Sequence, residues 1–535
     1  MEHVLEANRR NFLGGTAAAL GVFGIGSRTL ATGQTPSNQF SIRTFGARGD
    51  GVSDDTKAVQ AAVLAAKGYP IHFPEGKYRL SAIVGKSIQL VGDGAHKTII
   101  ELLTGGTDSL LRTDELQIEG IGFSDRGRSL MDHRASPDVY LFECKSAFRA
   151  ENCVFLTDRS VLLQTPLNNA KWTIVKNCVV ERVNTPLTDE EDRINVFTCQ
   201  VGVPFVHFDN LLANALVARS VINATYQDTA GMTSNTVSAT VENCHFDYIH
   251  NSDGNREVKV VFLQGYSGHV ANNKFTDCFG RHIDLLGSFH RGSAGLVRRP
   301  NEAVGNDVRY SHKRRNAQGS SNDEAGSIYC RYADVIISQN RLDFSNLRLS
   351  SAGYNAIAVR HGYESATIKR NIVIGAKAHA IAADISDAVD TDNCALAIIA
   401  NQLNSVRSTR LPISIANNSK TKMFSSVEIR DNLIDYAPAS TGIVFESGPE
   451  RISPFAVKNA HIEDNRNQAF ASLDEVSFNG FPFSLDAPNI EVKIRISLRD
   501  QRGRWPRTAI EEVIKRSISY KCKSVIMVPL PGSHP

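Results

Sequence analysis

The 535-residue chain carries almost no net charge: 59 Lys and Arg stand against 56 Asp and Glu, which leaves +3 with His neutral. The molecule as a whole is therefore no polyanion binder, and any electrostatic recognition must be local. Cysteine is sparse, and its count of nine is odd. That is no disulfide framework for a chain this long, and no Cys-x-x-Cys pair is present to ligate zinc. No extended basic surface interleaved with aromatics is read from the sequence, which argues against nucleic acid as a partner. An uncharged run from Phe12 to Ser27 is too short and Gly-rich for a comfortable transmembrane span.

What is abundant is a recurring motif of β-formers, an Asn, then one or two apolar residues. It reads Ala150-Glu151-Asn152-Cys153-Val154-Phe155 and Val175-Lys176-Asn177-Cys178-Val179-Val180, and it returns around Asn243, Asn273, Asn340, Asn371, Asn401, Asn432 and Asn465. From Asn340 the spacing is roughly 30 residues, in the range of stacked repeats. The steps from Asn177 to Asn243 and from Asn273 to Asn340 are about twice that. A degenerate copy at Leu216–Ile222 falls in the first double step, and a long insertion fills the second. Asn suits this position in two ways. It tolerates the left-handed backbone of a sharp bend, and stacked Asn side chains can bond to one another up a ladder of strands. Cys153, Cys178 and Cys244 each follow a repeat Asn and are expected as buried, stacked thiols.

The N-terminus reads Arg9-Arg10-Asn11-Phe12-Leu13 ahead of the uncharged run, with Thr29-Leu30-Ala31 as a small-residue cleavage site. It resembles a twin-arginine signal peptide, departing from the commonest flanking residues at Asn8 and Gly14. The resemblance implies a signal peptide over 1–31, the twin-arginine export machinery as a partner, no stable membrane span after processing, and a periplasmic or secreted location. Residues 32–39 form a Gly/Pro/Ser/Asn linker.

After the linker comes Phe45-Gly46-Ala47-Arg48-Gly49-Asp50-Gly51-Val52-Ser53-Asp54-Asp55-Thr56, then Ala58, Val59, Ala62, Val63 and Ala66 at helical spacing. Asp54 or Asp55 is placed to cap that helix over 55–67. Next come His72-Phe73-Pro74-Glu75-Gly76-Lys77-Tyr78 and Leu90-Val91-Gly92-Asp93-Gly94. These segments resemble the opening of the pectate-lyase-superfamily right-handed parallel β-helix proteins. The fold class expected is all-β: a single-stranded right-handed parallel β-helix, a solenoid, with an N-terminal capping helix and a C-terminal strand/helix cap. The cap and first coils occupy 40–100, the β-helix 101–480 with a basic insertion at 287–327, and the C-terminal cap and tail 481–535. In that last part Ile490, Val492, Ile494, Ile496 and Leu498 alternate as a half-buried strand, and 507–518 reads as an amphipathic helix. The front end accompanies lyases, hydrolases and epimerases alike, so it bears on fold and not on reaction.

A second strand follows each Asn bend. If Ile283, Ile357, Ile381 and Ile443 point inward, Asp284, Arg360, Asp384 and Glu446 line one outer surface by the period of two. The insertion adds Arg291, Arg298, Arg299, Arg309, Lys313, Arg314 and Arg315 with His290 and His312, a charge suited to a carboxylated or sulfated polysaccharide. Arg360-His361-Gly362 resembles a segment of the chondroitinase B/alginate lyase family of β-helix lyases, which implies a catalytic Arg at 360. That family's Lys base is not matched in Ser338-Gln339-Asn340-Arg341, and its calcium-holding carboxylates have only Asp284 as a counterpart. A uronate lyase must neutralise the substrate carboxylate, by Arg or calcium, and remove the adjacent proton with a base. Arg360, His361, Asp284 and His282 are the catalytic candidates, and Arg281, Arg291, Arg298, Arg299, Asp384 and Glu446 the substrate-binding ones. Calcium is a candidate cofactor and an acidic polysaccharide the expected partner. A glycoside hydrolase with paired carboxylates drawn from Asp284, Asp384 and Glu446 is the first alternative, although the Asn-Thr-Asp, Asp-Asp and Gly-His-Gly series of polygalacturonases is absent. A non-catalytic glycan-binding surface solenoid is the second.

Overall fold

The structure is a computed structural model. It describes residues 40–103, 109–124, 140–157, 160–165, 171–181, 195–200, 205–216, 218–225, 238–250, 258–265, 267–287, 300–311, 326–347, 354–386, 394–405, 412–419, 424–436, 443–447, 457–467, 476–479 and 493–496. Of 405 and of 435 onward the backbone alone is described. The signal-peptide segment, the linker and the 507–518 helix lie outside these residues. No helix among them is long and apolar enough to cross a membrane.

Every strand pairing among the described residues is parallel, and from Val154 to Asn417 each strand pairs with the one three later in the chain. Three strands per turn, repeated, make the expected right-handed parallel β-helix. Its first sheet holds Trp172–Lys176, Phe205–Asp209, Ser238–Glu242, Gly268–Ala271 and their successors. Its second sheet holds Val179–Glu181, Leu212–Asn214, His245–Asp247 and Lys274–Thr276. Its third holds Ser220–Thr225, Lys259–Gln264, Arg281–Leu286, Gly326–Arg331, Asn355–Arg360, Ile381–Ile385 and Ile413–Asn417. Inward side chains stack coil on coil, as Phe246 does on Phe275, with ring centroids 5.0 Å apart and planes 17° from parallel. The helix Thr56–Ala66 closes the N-terminal end by burying Val59, Ala62, Val63 and Ala66. Its first turn is capped by Asp54, whose Oδ1 accepts from the Thr56 N–H at 2.9 Å. Asp55 is instead buried and accepts from the Arg48 and Gly49 N–H groups, at 2.6 and 3.0 Å. Gly49 sits there at φ +59°, and a Cβ on it would lie 2.5 Å from the Tyr78 ring. The glycines and aspartates of this opening therefore hold a turn against the first coil.

The corner between the first and second sheets resolves the Asn motif into two adjacent columns. The first column is left-handed backbone: Asn152, Asn177, Asn210, Asn243, Asn272, Gly305, Gln339, Arg370, Ala400 and Asp431 have φ between 51° and 68°. The second column, one residue on, points inward and is buried: Cys153, Cys178, Leu211, Cys244, then Asn273, Asn306, Asn340, Asn371, Asn401 and Asn432. So the left-handed position forms the bend and, from Asn152 to Asn210, a short exposed ladder in which Asn177 Nδ2 donates to Asn152 Oδ1 at 3.3 Å and Asn210 Nδ2 to Asn177 Oδ1 at 2.8 Å, the inner position carries a longer, buried ladder, and the motif as aligned in sequence slips by one residue at Asn273. In the inner ladder each carboxamide oxygen from Asn306 on accepts from the preceding ladder Asn twice. Asn371 Oδ1, for example, takes the Asn340 backbone N–H at 3.0 Å and the Asn340 Nδ2–H at 2.9 Å. Nδ2 also donates to a carbonyl of the previous coil, Asn340 to Ala303 at 2.8 Å. The thiols before Asn273 serve the same kind of carbonyl more weakly: Cys178 Sγ donates to Ala150 O at 3.5 Å.

Both double steps disappear. Asn210–Leu211 is the missing copy in the first, and Leu216–Ile222 belongs instead to the next corner and the third sheet. Gly305–Asn306 is the missing copy in the second. The insertion read as 287–327 is thus interrupted by a complete corner, with strands Asn301–Val304 and Asp307–Arg309, so Arg309 belongs to a coil of the second sheet and bonds to Asp307. Lys493–Ile496 forms the expected C-terminal strand, pairing with Val457–Asn467. Asn465 falls in register with that strand's Ile496.

His282 lies inside the solenoid, not on its surface. It is fully buried, packed edge-on to Phe275 at 5.4 Å and to Tyr310 at 6.0 Å. Its Nδ1 is 2.8 Å from Ser327 Oγ and its Nε2 is 3.2 Å from Tyr310 Oη. Burial pushes its pKa down to about 3.

Two expectations follow from these placements. Asn340→Ala leaves the Asn306 N–H and Nδ2–H without their acceptor and should cost roughly 3–5 kcal/mol at ~1–3 kcal/mol per orphaned group, whereas Asn177→Ala should cost about 1 kcal/mol, since Ala400 already occupies that column at φ 54°. Equal shifts in denaturation midpoint would contradict the two-column corner. His282 stays neutral when folded but takes a proton near pH 6.5 when unfolded, so the unfolded state binds more protons between pH 6.5 and about 3. Its contribution is fully present above pH 6.5 and is lost as pH falls through that window. Melting from pH 7 to 4.5 should therefore depress the wild type more than a His282→Gln variant.

Candidate active site

The third sheet's inward column runs Ile222, Val261, Ile283, Ile328, Ile357, Ile381, Ile413 and Ile443 in register. Two outward rows flank it. One residue on lie Phe262, Asp284, Tyr329, Ala358, Ala382 and Ser414. Two further on lie Gln264, Leu286, Arg331 and Arg360, then Asp384, Ala416 and Glu446. Asp284, Arg360, Asp384 and Glu446 therefore share the outer sheet, but Asp284 stands one outward row before the other three. At Glu446 only the backbone is described.

Four consecutive coils each bring one cation to this face: Lys259, Arg281, Arg331 and Arg360. Lys259 and Arg281 pair in register, as do Arg331 and Arg360. Three of the four meet on a single carboxylate oxygen. Asp284 Oδ2 is 2.7 Å from Arg281 Nη1, 3.5 Å from Lys259 Nζ and 3.5 Å from Arg331 Nη2. Asp284 is completely buried, and its other oxygen, Oδ1, has no hydrogen-bond partner among the described residues. Tyr329 lies between the guanidinium groups, 3.7 Å from Arg281 and 5.2 Å from Arg331, and the Lys259 ammonium is 4.7 Å from the Phe262 ring. Cations held over aromatic faces and against one carboxylate are fixed in place at little further entropic cost on binding a ligand.

The fourth cation, Arg360, pairs with the buried Asp384 at 2.6 Å. Asp384 Oδ1 also accepts the His361 backbone N–H at 2.7 Å. His361 is held at φ 68°, and its ring stacks on Tyr332 of the coil before, 5.3 Å away at 20°. Tyr332 is itself at φ 52°. Left-handed backbone is costly at residues this bulky and concentrates at functional sites. At the corresponding place one coil earlier stands Gly287, where a Cβ would lie 1.8 Å from the Tyr332 carbonyl oxygen. Only glycine lets the Tyr332 turn seat.

Of the residues expected from sequence, Arg360, His361, Asp284, Arg281 and Asp384 are gathered here. His282 is not, because the corner turns it inward. Asp284 is no calcium ligand, since a carboxylate ringed by three cations within 3.5 Å repels another, and the residues present do not fit that ion. Among the described residues no group of three or more His, Cys, Asp or Glu is arranged to hold a metal. His290, Arg291, Arg298 and Arg299 lie outside the described residues, as do His312, Lys313, Arg314 and Arg315. Lys259, Tyr329, Arg331 and Tyr332 were missed. The neighbour of Arg360 was sought beside the Asn motif, at Ser338–Arg341, when it lies one strand earlier. Aligning Gly326-Ser-Ile-Tyr-Cys-Arg331 on Asn355-Ala-Ile-Ala-Val-Arg360 would have found it.

The strand connectivity defines the class, a parallel β-helix with a charged outer sheet. Comparison with known proteins adds relatives at its N-terminal end. Residues 39–131 match the family described as rhamnogalacturonase A/epimerase, pectate lyase-like. Alginate lyase 7 of Azotobacter vinelandii is 36% identical over 84 residues, which are 14% of this chain and 10% of that protein. Mannuronan C5-epimerase AlgE2 of the same organism is 38% identical over 78 residues, 12% of this chain and 8% of that protein. The chain thus matches about a tenth of the length of these relatives. Among solved structures, the A-module of the Azotobacter vinelandii epimerase AlgE6 aligns with 85% of this chain and 98% of its own, at 13% identity and a TM-score of 0.26. The family match ends at residue 131, well before the cation cluster begins at Lys259.

Asp384 holds both the Arg360 guanidinium and the His361 turn. Asp384→Ala should cost roughly 3 kcal/mol by leaving the Arg360 charge without its partner and should release the His361 turn. A variant as stable as wild type would contradict the buried pair.

Proposed function

We propose that the chain acts on an acidic, uronate-containing polysaccharide at the third sheet, removing the proton beside the sugar carboxylate and expelling the glycosidic oxygen by β-elimination. The observation that carries this reading is the convergence of Lys259, Arg281 and Arg331 on one face, with Arg360 on the next coil. Proton loss next to a carboxylate builds negative charge on its oxygens, and preorganised cations in a partly desolvated site stabilise that charge most effectively. Arg331, Lys259 and Arg360 keep some exposure, at 24%, 18% and 17% of their side chains, and are assigned to successive carboxylates along the substrate chain. Arg281, at 7%, braces Asp284 and Tyr329. His361 is assigned as the base, and Tyr332, stacked on it, as the proton source for the leaving oxygen.

The hydrolase alternative fares worse. Of its three carboxylates, Asp284 and Asp384 are three coils apart, about 14 Å at ~4.8 Å per coil, beyond the ~5–9.5 Å that acid and base carboxylates need, while Asp384 and Glu446, two coils apart in one row, are about 10 Å apart by the same measure, at the edge of that range. Asp284 and Asp384 are each also already committed to an ion pair. The names of the two relatives, an alginate lyase and a mannuronan C5-epimerase, point to reactions that both begin with this proton abstraction, which supports the reading without choosing its outcome.

The test is turnover of alginate, polygalacturonate and glycosaminoglycans, followed by the ultraviolet absorbance of the new conjugated double bond. Arg331→Gln should lower kcat/KM by ~10²-fold or more with the fold intact. New reducing ends without that absorbance would overturn the lyase assignment.

A further inference from the structure

The first sheet carries an aromatic surface that the site on the third sheet does not use. Its outward side chains on two successive coils are Trp172 and Ile174, then Phe205 and His207. Thr173 pairs with Val206 and Ile174 with His207, so Trp172 stands one coil before Phe205, about 4.8 Å away along the solenoid. Phe205 is exposed, at 39%, and its ring is braced from one side by the His207 ring, 5.9 Å away at 11°. Trp172 and His207 are half-buried. The next coil sets Ser238 and Thr240 in the same two rows, so hydroxyls follow the rings along the sheet.

Grouped apolar side chains left at the surface mark an interaction site, and charge narrows what it takes. Arg149 bonds to Glu151 at 2.8 Å, Lys171 to Glu115 at 2.5 Å, and Lys176 lies in register between Glu151 and Asp209. Glu242 adds a fourth carboxylate, 3.8 Å from His207. Burial and then Lys176 lower the His207 pKa and keep that ring neutral at pH 7. A polyanion therefore gains nothing here, in contrast with the third sheet. Size narrows it further. Two rings bury about 150–250 Å² each, well short of the ~800 Å² per partner of a stable protein–protein interface, so a second copy of this chain would not be held by them.

A neutral sugar chain meets both limits. In a pyranose whose hydroxyls are all equatorial, the axial C–H bonds point to the two ring faces and suit the negative face of an aromatic ring. Equatorial linkages keep successive rings flat, and each advances the chain by close to one coil height. We propose that Trp172 and Phe205 form a second glycan-binding surface, on the first sheet, which stacks successive rings of a neutral, β-linked, all-equatorial polysaccharide while Ser238 and Thr240 bond to hydroxyls of the next residue. This surface is separate from the cation cluster and does not depend on the reaction assigned there.

The experiment is affinity electrophoresis of the full chain through native gels containing hydroxyethylcellulose, a soluble polymer of that kind, or alginate. Hydroxyethylcellulose should retard the wild type and Arg331→Gln equally. In the double variant Trp172→Ala/Phe205→Ala the apparent Kd should rise about tenfold or more, the scale of two aromatic contacts. Should the double variant fail to fold, Phe205→Ala alone removes an exposed ring and should still raise it about threefold. No retardation of wild type by hydroxyethylcellulose overturns the proposal, as does retardation by alginate only, or an aromatic variant that migrates like wild type. Loss of retardation in Arg331→Gln also overturns it, because the third sheet would then be the binding surface. A wild-type dimer in sedimentation that the aromatic variant dissociates overturns it in favour of a second copy.

Discussion

In-register parallel stacking governs this protein. Each coil must place its strands directly on those of the coil before, about 4.8 Å away, whatever the length of chain between them. Loops absorb every difference in length, and the strands absorb none. Lys259, Arg281, Arg331 and Arg360 are unevenly spaced in sequence yet occupy four successive layers. A charged surface with this spacing needs no special loop to assemble it. It needs only that the register hold, and the register is held by the corner.

At the corner, sequence reading came closest and also slipped. The parallel β-helix, the capping helix and the buried thiols at Cys153, Cys178 and Cys244 were legible, because apolar periodicity and small-residue bends are local signals. The one-residue offset between Asn243 and Asn273 was not. Both positions accept Asn for sound physical reasons, the outer for a left-handed bend with a short exposed ladder and the inner for a long buried one, and the letter alone does not say which. Asn210 and Asn306 were overlooked for a related reason. Asn210 is followed by Leu211 where Cys stood before, and Asn306 lies within a stretch whose basic charge invited reading as a loop.

The site was legible in part. Arg360 and Asp384 were placed on one surface correctly, since each stands three positions after an inward Ile. His282 was misplaced because the period of two fails at the start of these strands, where two consecutive residues, His282 and Ile283, both face the interior. Asp284 was noticed as an acid, but its environment was invisible. Nothing in the letters Asp-Leu-Leu tells that three cations from three coils surround the side chain. That information exists only between layers. The buried cluster also has an energetic meaning: charges this desolvated are retained against a large cost, and the backbone strain at Tyr332 and His361 sits beside them.

The Asn ladder has a directional consequence. In every rung the carboxamide oxygen accepts from the preceding coil, and from Asn273 to Asn401 one Nδ2–H donates onward to the next rung while the other returns to a carbonyl of the coil before, from the Cys244 N–H donating to Asn273 down to Asn401 donating to Asn432. Six amide dipoles therefore lie head to tail through the interior and polarise one another. Strand dipoles run across the solenoid, but this column runs along it. The two ends of the fold are thus electrically unlike, by the same logic that distinguishes the ends of a helix, in a protein whose axis contains almost no helix at all.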